Sequence, residues 1–161
     1  MNRKLQVIDR PGPEEYSATL SVQTNLLEAK VQDPELADVL ILVEHDEVYT
    51  VGRSVPVQEV ALALPKPARW IEVGRGGEAT FHGPGQLVAY PIFDLTRHGK
   101  DVHVYLRGLE RAGIRCLARL GVKADVRNGL TGIWVQTPGS WKKIASIGIG
   151  VRRWVSATVS P

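Results

Sequence analysis

Hydrophobic and polar positions along the chain predict alternating strands and helices. Leu5 to Ile8 alternates, which predicts a first strand ending at Pro11-Gly12-Pro13. Pro13 suits the first turn of a helix, and Asp33-Pro34 is a stop signal for it. The predicted buried stripe of this helix follows steps of three and four: Tyr16, Leu20, Gln23, Leu27 and Val31.

The middle of the chain predicts further strands. The aliphatic run Val39–Val43 is typical of a strand covered on both faces, and Val48–Arg53 is a second β-rich piece. Pro56 to Pro67 predicts a surface loop with one helical turn. Trp70–Val73 predicts a short strand, and Leu87–Leu95 predicts another, in which Pro91 implies an edge position or a bulge.

The pattern changes to a second helix at Asp101 and ends at Gly121. The last third predicts strands at 122–126, 133–135 and 143–151, separated by turns at Asn128-Gly129 and 137–140. The whole pattern therefore predicts one α/β domain over residues 1–161. The predicted apolar stripe of the second helix is Val102, Leu106, Leu109, Gly113, Cys116 and Leu120.

Composition narrows the class of protein. A chain of 161 residues with 43% hydrophobic and 23% charged residues predicts a globular domain with its own core. A net charge of +3, mostly scattered, does not predict a nucleic-acid face. The N-terminus lacks the apolar core of a signal peptide and no apolar run would span a membrane, which predicts a cytoplasmic protein.

The single cysteine, Cys116, excludes an internal disulfide. Its place on the predicted apolar stripe predicts a packed, inert thiol rather than a nucleophile. His45, among three acids, could be a metal ligand, but no second histidine lies at a ligand spacing. A solvated turn is therefore the favoured interpretation, and we expect no metal site and no cofactor.

The segment from Gly74 to Gln86 carries the strongest chemical signal. Five glycines and a proline in thirteen residues predict a shaped loop, because glycine permits close approach of a ligand to the backbone. Arg75, Thr80, His82 and Gln86 are the polar groups that would face such a ligand. The alternative is a solvated strand connection. Neither phosphate-binding glycine motif is present, so nucleotide binding is not favoured.

Lys143 precedes a run of small residues, Ala145, Ser146, Gly148 and Gly150, that would let a backbone or ligand approach. From spacing alone, a solvated charge is favoured over a catalytic lysine.

Taken together, these segments resemble the lipoyl(octanoyl) transferases, which transfer an octanoyl group from acyl carrier protein to other proteins. The matching segments are Val43–His45, Val48–Arg53, Arg75–Tyr90, Gly132–Val135 and Lys143–Gly148. The resemblance implies an α/β fold with a mixed sheet flanked by helices, like the catalytic domain of biotin and lipoate protein ligases. It also implies two partners: octanoyl-acyl carrier protein as donor, and as acceptor the lipoyl domains of 2-oxoacid dehydrogenases and the glycine cleavage H protein.

The resemblance also implies site residues. Lys143 matches the family's catalytic lysine, which would lower the pKa of a cysteine nucleophile or deprotonate the incoming amine. A first substrate-binding segment matches Arg75, Gly76, Gly77, Glu78, Ala79, Thr80, Phe81 and His82. A second matches Ser146, Ile147 and Gly148.

The sequence departs from the family pattern after Lys143. The His-Gly segment and the cysteine nucleophile that follow in the family are absent before the last residue, Pro161, and Cys116 precedes Lys143. We therefore expect a C-terminally truncated member in which the acyl relay is impaired. Two alternatives remain: a non-catalytic protein that binds acyl groups or lipoyl domains, and, less favoured, an ATP-dependent lipoate or biotin ligase.

Overall fold

The computed structural model describes residues 4–54, 56, 59, 63 and 67–157. These residues have mixed α/β structure, with two long α-helices and several small sheets, which confirms the predicted α/β class. The chain forms two compact units, one of residues 1–96 and 148–161 and the other of residues 97–147. The expectation of a single catalytic domain over 1–161 stays a prediction. The predicted surface loop at 56–67 lies mostly outside the described residues.

A three-stranded mixed sheet, in the order β1-β2-β6, forms the centre of the first unit. Strands β1 (Leu5–Glu14) and β2 (Asp38–His45) are parallel, and β6 (Val88–Ile92) is antiparallel to β2. Every second residue of β2 is buried, from Val39 to His45. Pro91 lies on the edge strand β6, as predicted, where a missing N–H is tolerated.

Helix α1 (Tyr16–Gln32) connects β1 to β2. Its C-terminal end is tied to the start of β2, because the ammonium group of Lys30 lies 2.9 Å from Asp38 Oδ1 and also donates to the carbonyl of Leu36. The hydrophobic core of this unit lies between one face of α1 and the inner faces of the strands that pack against it. The core comprises Tyr16, Leu27, Val39, Ile41, Val43, Val48, Val73, Tyr90, Ile92, Val155 and Ala157.

A second three-stranded sheet carries the glycine-rich segment. Its order is β4-β3-β5, in which β3 (Val48–Val51) is parallel to β4 (Trp70–Glu72) and antiparallel to β5 (Ala79–His82). The described part of the first unit ends with a two-stranded hairpin of β10 (Gly150–Arg152) and β11 (Val155–Ala157). β11 is anchored to the end of β6, since the N–H of Ser156 donates to the carbonyl of Phe93 at 2.8 Å.

The second unit pairs helix α2 (Val102–Arg119) with an antiparallel sheet of β7 (Ala124–Arg127), β8 (Leu130–Thr137) and β9 (Ser140–Ala145). The carboxylate of Asp101 caps α2 by accepting from the N–H groups of His103 and Val104. Gly121, with φ of +78°, follows its end as predicted. A 3₁₀ turn, Leu95–His98, precedes the helix.

Some predicted boundaries are wrong. β1 does not stop at Pro11 but continues to Glu14 through an irregularity between Arg10 and Pro13, so Pro13 lies in a strand and α1 begins at Tyr16. The predicted run 143–151 is also broken: Lys143 lies within β9, and the chain leaves the sheet after Ala145. The stripe of α1 is shifted in part, since Thr19 and Lys30 are buried where Leu20 and Val31 were predicted.

Candidate active site

The first part of the glycine-rich segment lies over strand β3 and is fastened to it by backbone hydrogen bonds. The N–H of Gly52 donates to the carbonyl of Glu78 at 2.9 Å, and the N–H of Arg53 donates to the carbonyl of Arg75 at 3.2 Å. On the loop side, the N–H of Gly77 donates to the hydroxyl of Ser54 at 3.0 Å. Four consecutive residues after Arg75 are solvent-exposed, so this loop presents its backbone to solvent.

Two glycines allow this close approach. A Cβ at Gly52 would lie 2.3 Å from the carbonyl oxygen of Gly77, and a Cβ at Gly148 would lie 2.7 Å from Cδ of Arg75. Both distances are shorter than a carbon atom can accept, so only glycine fits at these positions. Gly148 was predicted from the family resemblance as a substrate-binding residue, and here it provides the space for the Arg75 side chain.

Arg75 is folded underneath the loop and is only 7% exposed. Its Nη2 donates to the carbonyl oxygen of Thr50 at 2.8 Å and to the Thr50 hydroxyl at 2.9 Å, and its Nη1 donates to the carbonyl of Gly76 at 3.1 Å. All of these acceptors are neutral, and among the described residues Arg75 has no carboxylate partner. Burial lowers the pKa of Arg75 from its usual value, and the nearby hydroxyls of Tyr16 and Tyr90 oppose this effect.

His82, at the end of β5, shares the Thr50 hydroxyl with Arg75. Its Nε2 lies 3.2 Å from Thr50 Oγ1, while that hydroxyl is also 3.4 Å from the carbonyl of Thr80. Burial, followed by the neighbouring His45 and Arg75, lowers the pKa of His82 to about 4. The imidazole is therefore neutral at pH 7, and it can accept or donate a hydrogen bond without carrying charge.

Below His82 lies a cluster of buried rings from three other elements. His45 from β2 packs 5.8 Å from His82 and 5.0 Å from Tyr16 of α1, measured between ring centroids. Its Nδ1 is 3.1 Å from the carbonyl of Glu14, so it must donate, and its Nε2 is 2.8 Å from the hydroxyl of Tyr90 and therefore accepts. These contacts fix the ring and its tautomer.

Burial keeps the titratable groups of this cluster neutral. It raises the pKa of Tyr90 and of Tyr16, and it lowers the pKa of His45, against which the hydrogen bond to Glu14 acts. The favoured interpretation of His45 as a solvated turn residue is wrong, because it is fully buried. Among the described residues no group of three His, Cys, Asp or Glu side chains is placed to hold a metal ion.

The structure places the remaining predicted residues of the first segment differently. Thr80 and His82 lie on β5 beside Thr50, whereas Phe81 points to the other face and packs against Tyr49 at 5.1 Å. Gln86, predicted to face a ligand with Arg75, is exposed in a separate turn between β5 and β6, where its N–H donates to the carbonyl of Gly83. The roles of Gly76, Gly77, Glu78 and Ala79 stay predictions.

The second unit contains Lys143, Ser146 and Ile147. Lys143 is exposed, faces Trp134 across the β8–β9 pair, and its Nζ lies 4.9 Å from the centroid of the Trp134 ring. Gly132 gives room for it, since a Cβ there would be 3.3 Å from Lys143 Cε. Ser146 is exposed and Ile147 is half-buried, directly after β9. Their predicted roles are not tested by this geometry.

Cys116 is exposed on α2, so the prediction of a packed thiol is wrong. In α2, Tyr105 and Glu110 are buried. Gly113 and Leu117 are half-buried, whereas Cys116 and Leu120 are exposed. The error arises because residues at steps of three and four can be chosen along either of two neighbouring stripes of this helix. The sequence alone does not show which stripe is covered, and only a narrow face of the helix is.

Sequence reasoning missed Thr50 and the ring cluster. The signal for His45 was available, because the alternation of Val39, Ile41 and Val43 continues to it and places it on the buried face. Thr50 gave no such signal, since its partners come from a loop and a strand that are distant in sequence.

In the described part of the chain no helix is long and apolar enough to cross a membrane.

The fold and the glycine-rich loop belong to a known family of catalytic domains. The chain belongs to the lipoyl protein ligase A/B catalytic domain family, whose model matches residues 15–158. Among curated proteins it is similar to the octanoyltransferase of Geobacter metallireducens, 48% identical over 90% of this chain. It is also similar to the octanoyltransferase of Gloeobacter violaceus, 42% identical over 91% of this chain. The chain spans 64% of the length of each of these relatives.

Solved structures agree on the fold. The chain resembles a bipartite lipoate protein ligase from Thermoplasma acidophilum with a TM-score of 0.63 and 17% identity, over 97% of this chain and 59% of that one. It also resembles a lipoate-protein ligase A bound with ATP, with a TM-score of 0.59 and 17% identity, over 97% of this chain and 64% of that one. These similarities establish the ligase-like catalytic fold.

Proposed function

We propose that this chain binds the octanoyl thioester of acyl carrier protein and takes part in its transfer to a lysine of a lipoyl domain. The acceptors would be the lipoyl domains of 2-oxoacid dehydrogenases and the glycine cleavage H protein. The observation that carries the proposal is the buried, cationic Arg75 beneath an exposed glycine backbone. Similarity to octanoyltransferases supports it.

The chemistry of Arg75 supports a thioester ligand. Its charge is held among neutral acceptors only, and a buried guanidinium without a counter-ion favours a ligand with negative character. When an amine or thiol attacks a thioester, negative charge develops on the carbonyl oxygen. We infer that Arg75 stabilises that oxygen.

In the complete reaction the lysine amine forms an amide bond to the octanoyl carbonyl, the C–S bond breaks, and the carrier thiol leaves with a proton. Lys143 is assigned as the acid–base residue from the family resemblance. The family relay also uses a cysteine, and the sole cysteine of this sequence, Cys116, does not match its position. The proposal for these residues therefore covers thioester binding and proton transfer.

The proposal is tested by binding and transfer measured side by side. Calorimetry should show that the wild-type protein binds octanoyl-acyl carrier protein more tightly than the unacylated carrier. Arg75→Gln should weaken this binding about tenfold or more, because it removes a buried charged hydrogen-bonding group. Arg119→Gln is the control, since it removes an equal charge from an exposed site at the end of α2.

Transfer is followed by intact mass spectrometry of a lipoyl domain. Lys143→Met should retain thioester binding and lose octanoylation of the lipoyl domain relative to wild type. Binding without any transfer by wild type would reduce the function to acyl-thioester binding. Equal affinity of wild type for acylated and unacylated carrier would contradict the proposal. A hydroxylamine-sensitive adduct on Cys116 would show that this thiol accepts the acyl group.

A further inference from the structure

Thr50 is the residue through which the two polar side chains of the site meet. Its side chain is fully buried on β3, and neither composition nor the family resemblance assigned it a role. Its hydroxyl lies 2.9 Å from Nη2 of Arg75 and 3.2 Å from Nε2 of His82. Thr50 thus contacts both a cation and a neutral imidazole with one oxygen atom.

The hydrogen-bond capacity of a hydroxyl fits this arrangement. A threonine hydroxyl has one proton to donate and can accept two hydrogen bonds. One acceptor position is used by Arg75, whose N–H groups can only donate. His82 then either accepts the Thr50 proton or donates its own, in which case the Thr50 proton goes to the carbonyl of Thr80 at 3.4 Å. In both tautomers Arg75 and His82 remain connected through Thr50.

The strand geometry makes this connection rigid. Thr50 pairs directly with Thr80 across the β3–β5 ladder, which places His82 at the diagonal neighbouring position of the same face. The carbonyl of Thr50 accepts a second hydrogen bond from Arg75 at 2.8 Å, so the guanidinium is held at two points. A threonine is also restricted in χ1, which fixes its hydroxyl on this face.

We propose that Thr50 is a positioning residue: its hydroxyl sets the guanidinium of Arg75 and the ring of His82 relative to each other beneath the thioester-binding loop. This inference rests on the proposed function for its consequence in binding. The hydrogen bonds themselves can be tested without a ligand. Two readouts are therefore needed, one on the free protein and one on the thioester complex.

The first readout is the ¹⁵N spectrum of the His82 ring and of the Arg75 guanidinium in the free protein. Thr50→Val keeps the shape of the side chain and removes the hydroxyl, so both sets of nitrogen signals should shift. Thr50→Ser keeps the hydroxyl and should leave them near their wild-type positions. Thr19→Val is the matched control, because Thr19 is equally buried in the same unit but its hydroxyl bonds Glu14.

The second readout is affinity for octanoyl-acyl carrier protein. Thr50→Val should bind about tenfold more weakly than wild type, the cost of one hydrogen bond to a charged group, whereas Thr50→Ser and Thr19→Val should stay within about threefold. Thr50→Ala replaces Thr50→Val if the latter does not fold. The carbonyl of Thr50 remains an acceptor in every variant, so the loss measures the hydroxyl.

The outcomes separate the two proposals. Shifted His82 and Arg75 signals together with weaker binding in Thr50→Val, both restored in Thr50→Ser, support the positioning role. Unchanged signals, or wild-type affinity in Thr50→Val, overturn it and leave the proposed function standing. If wild type does not bind the octanoyl thioester, the proposed function fails, and the nitrogen signals alone decide whether Thr50 positions the two side chains.

Discussion

Arg75 and Glu110 are both charged and almost completely buried, yet their surroundings differ. Glu110 is paired with Arg107 at 2.6 Å and also accepts from the N–H of Gly132 at 3.0 Å, so its charge is balanced within the second unit. Arg75 donates only to neutral oxygens, those of Thr50 and Gly76. A structural ion pair explains Glu110, whereas Arg75 has no such partner among the described residues, which is the basis on which we propose an anionic ligand for it.

His82 is expected to make stability depend on pH in a defined window. Its folded pKa of about 4 lies below the ordinary value of 6.5, so the folded protein holds fewer protons than the unfolded chain between these values. The free energy of unfolding should therefore fall as the pH drops from about 6.5 to about 4, by on the order of 1–3 kcal/mol from this group. Below that window His82 adds no further loss.

Urea denaturation at pH 7 and pH 4.5 measures this difference, and an NMR titration of the His82 ring gives its pKa directly. His82→Gln should lose less stability over this interval than wild type. The control is His103→Gln, which removes an exposed histidine from α2 and should retain the wild-type dependence. Burial also lowers the pKa of His45, so His45 adds a pH dependence of the same direction in wild type and in both variants. A His82 ring that titrates near pH 6.5 would contradict the burial argument.

The sequence singled out Arg75 and His82 as candidate site residues, but it did not predict what surrounds their side chains. Arg75 and His82 were predicted from a segment whose glycines and polar groups are adjacent in the chain. Their burial and their shared hydroxyl depend on Thr50, which is 25 residues before Arg75 in the sequence. No local pattern encodes such a contact, because a threonine in a strand is equally compatible with an exposed face.

The glycine-rich segment is not one element but two, joined by strand β5. Its first part covers β3, and its second part is a turn whose Gly85 N–H donates to the carboxylate of Glu44 on β2 at 2.9 Å. The two parts are thus fixed to different sheets. This explains why Arg75 and Gln86, neighbours in the predicted ligand-facing set, lie in different surroundings.

Gly52→Ala is expected to displace the first part of this loop. The new Cβ would collide with the carbonyl oxygens of Gly77 and Arg75, at 2.3 and 3.0 Å, and backbone atoms can yield only by moving the loop. We expect a loss of about 1–3 kcal/mol in the free energy of unfolding, as for other overpacked sites. Affinity for the octanoyl thioester should fall with it.

Gly108→Ala serves as the matched change within α2. Its new Cβ would have only Arg111 Nη2 nearby, at 3.9 Å, so the substitution should stabilise the helix by about 0.5–1 kcal/mol. Denaturation curves for both variants measure the contrast. Equal, small effects at the two glycines would show that the loop does not depend on close approach at Gly52.

Element prediction succeeded where local signals were strong and failed where pairing decided the outcome. Helix α2 between Asp101 and Gly121 and the turn at Asn128-Gly129 were predicted from local residues and are confirmed. The extension of β1 to Glu14 was not predicted, because its last two residues are held by parallel pairing with Glu44 and His45. Because β1 and its parallel partner β2 are far apart in the sequence, no local pattern around Pro11 and Pro13 indicates this pairing.

The first unit is assembled from two stretches of chain separated by the whole second unit. Strand β11, near residue 156, completes a core whose other members lie between Tyr16 and Ile92. The hydroxyl of Ser156 donates to the carbonyl of Pro91 at 3.0 Å and fixes the strand against the end of β6. The sequence predicted β structure up to residue 151 but not this return, since long-range pairing is invisible to local periodicity.

The β10–β11 hairpin provides a direct test of that return. Val155 is 4% exposed and belongs to the core, whereas Val151, on the paired strand, is 39% exposed. Val155→Ala should lower the free energy of unfolding by about 2 kcal/mol, from two buried methyl groups and the cavity they leave. Val151→Ala should change it by less than about 0.5 kcal/mol. Urea denaturation of both variants decides the point: a hairpin that merely lay on the surface would give the same small effect at both positions, whereas a core strand makes the two valines unequal.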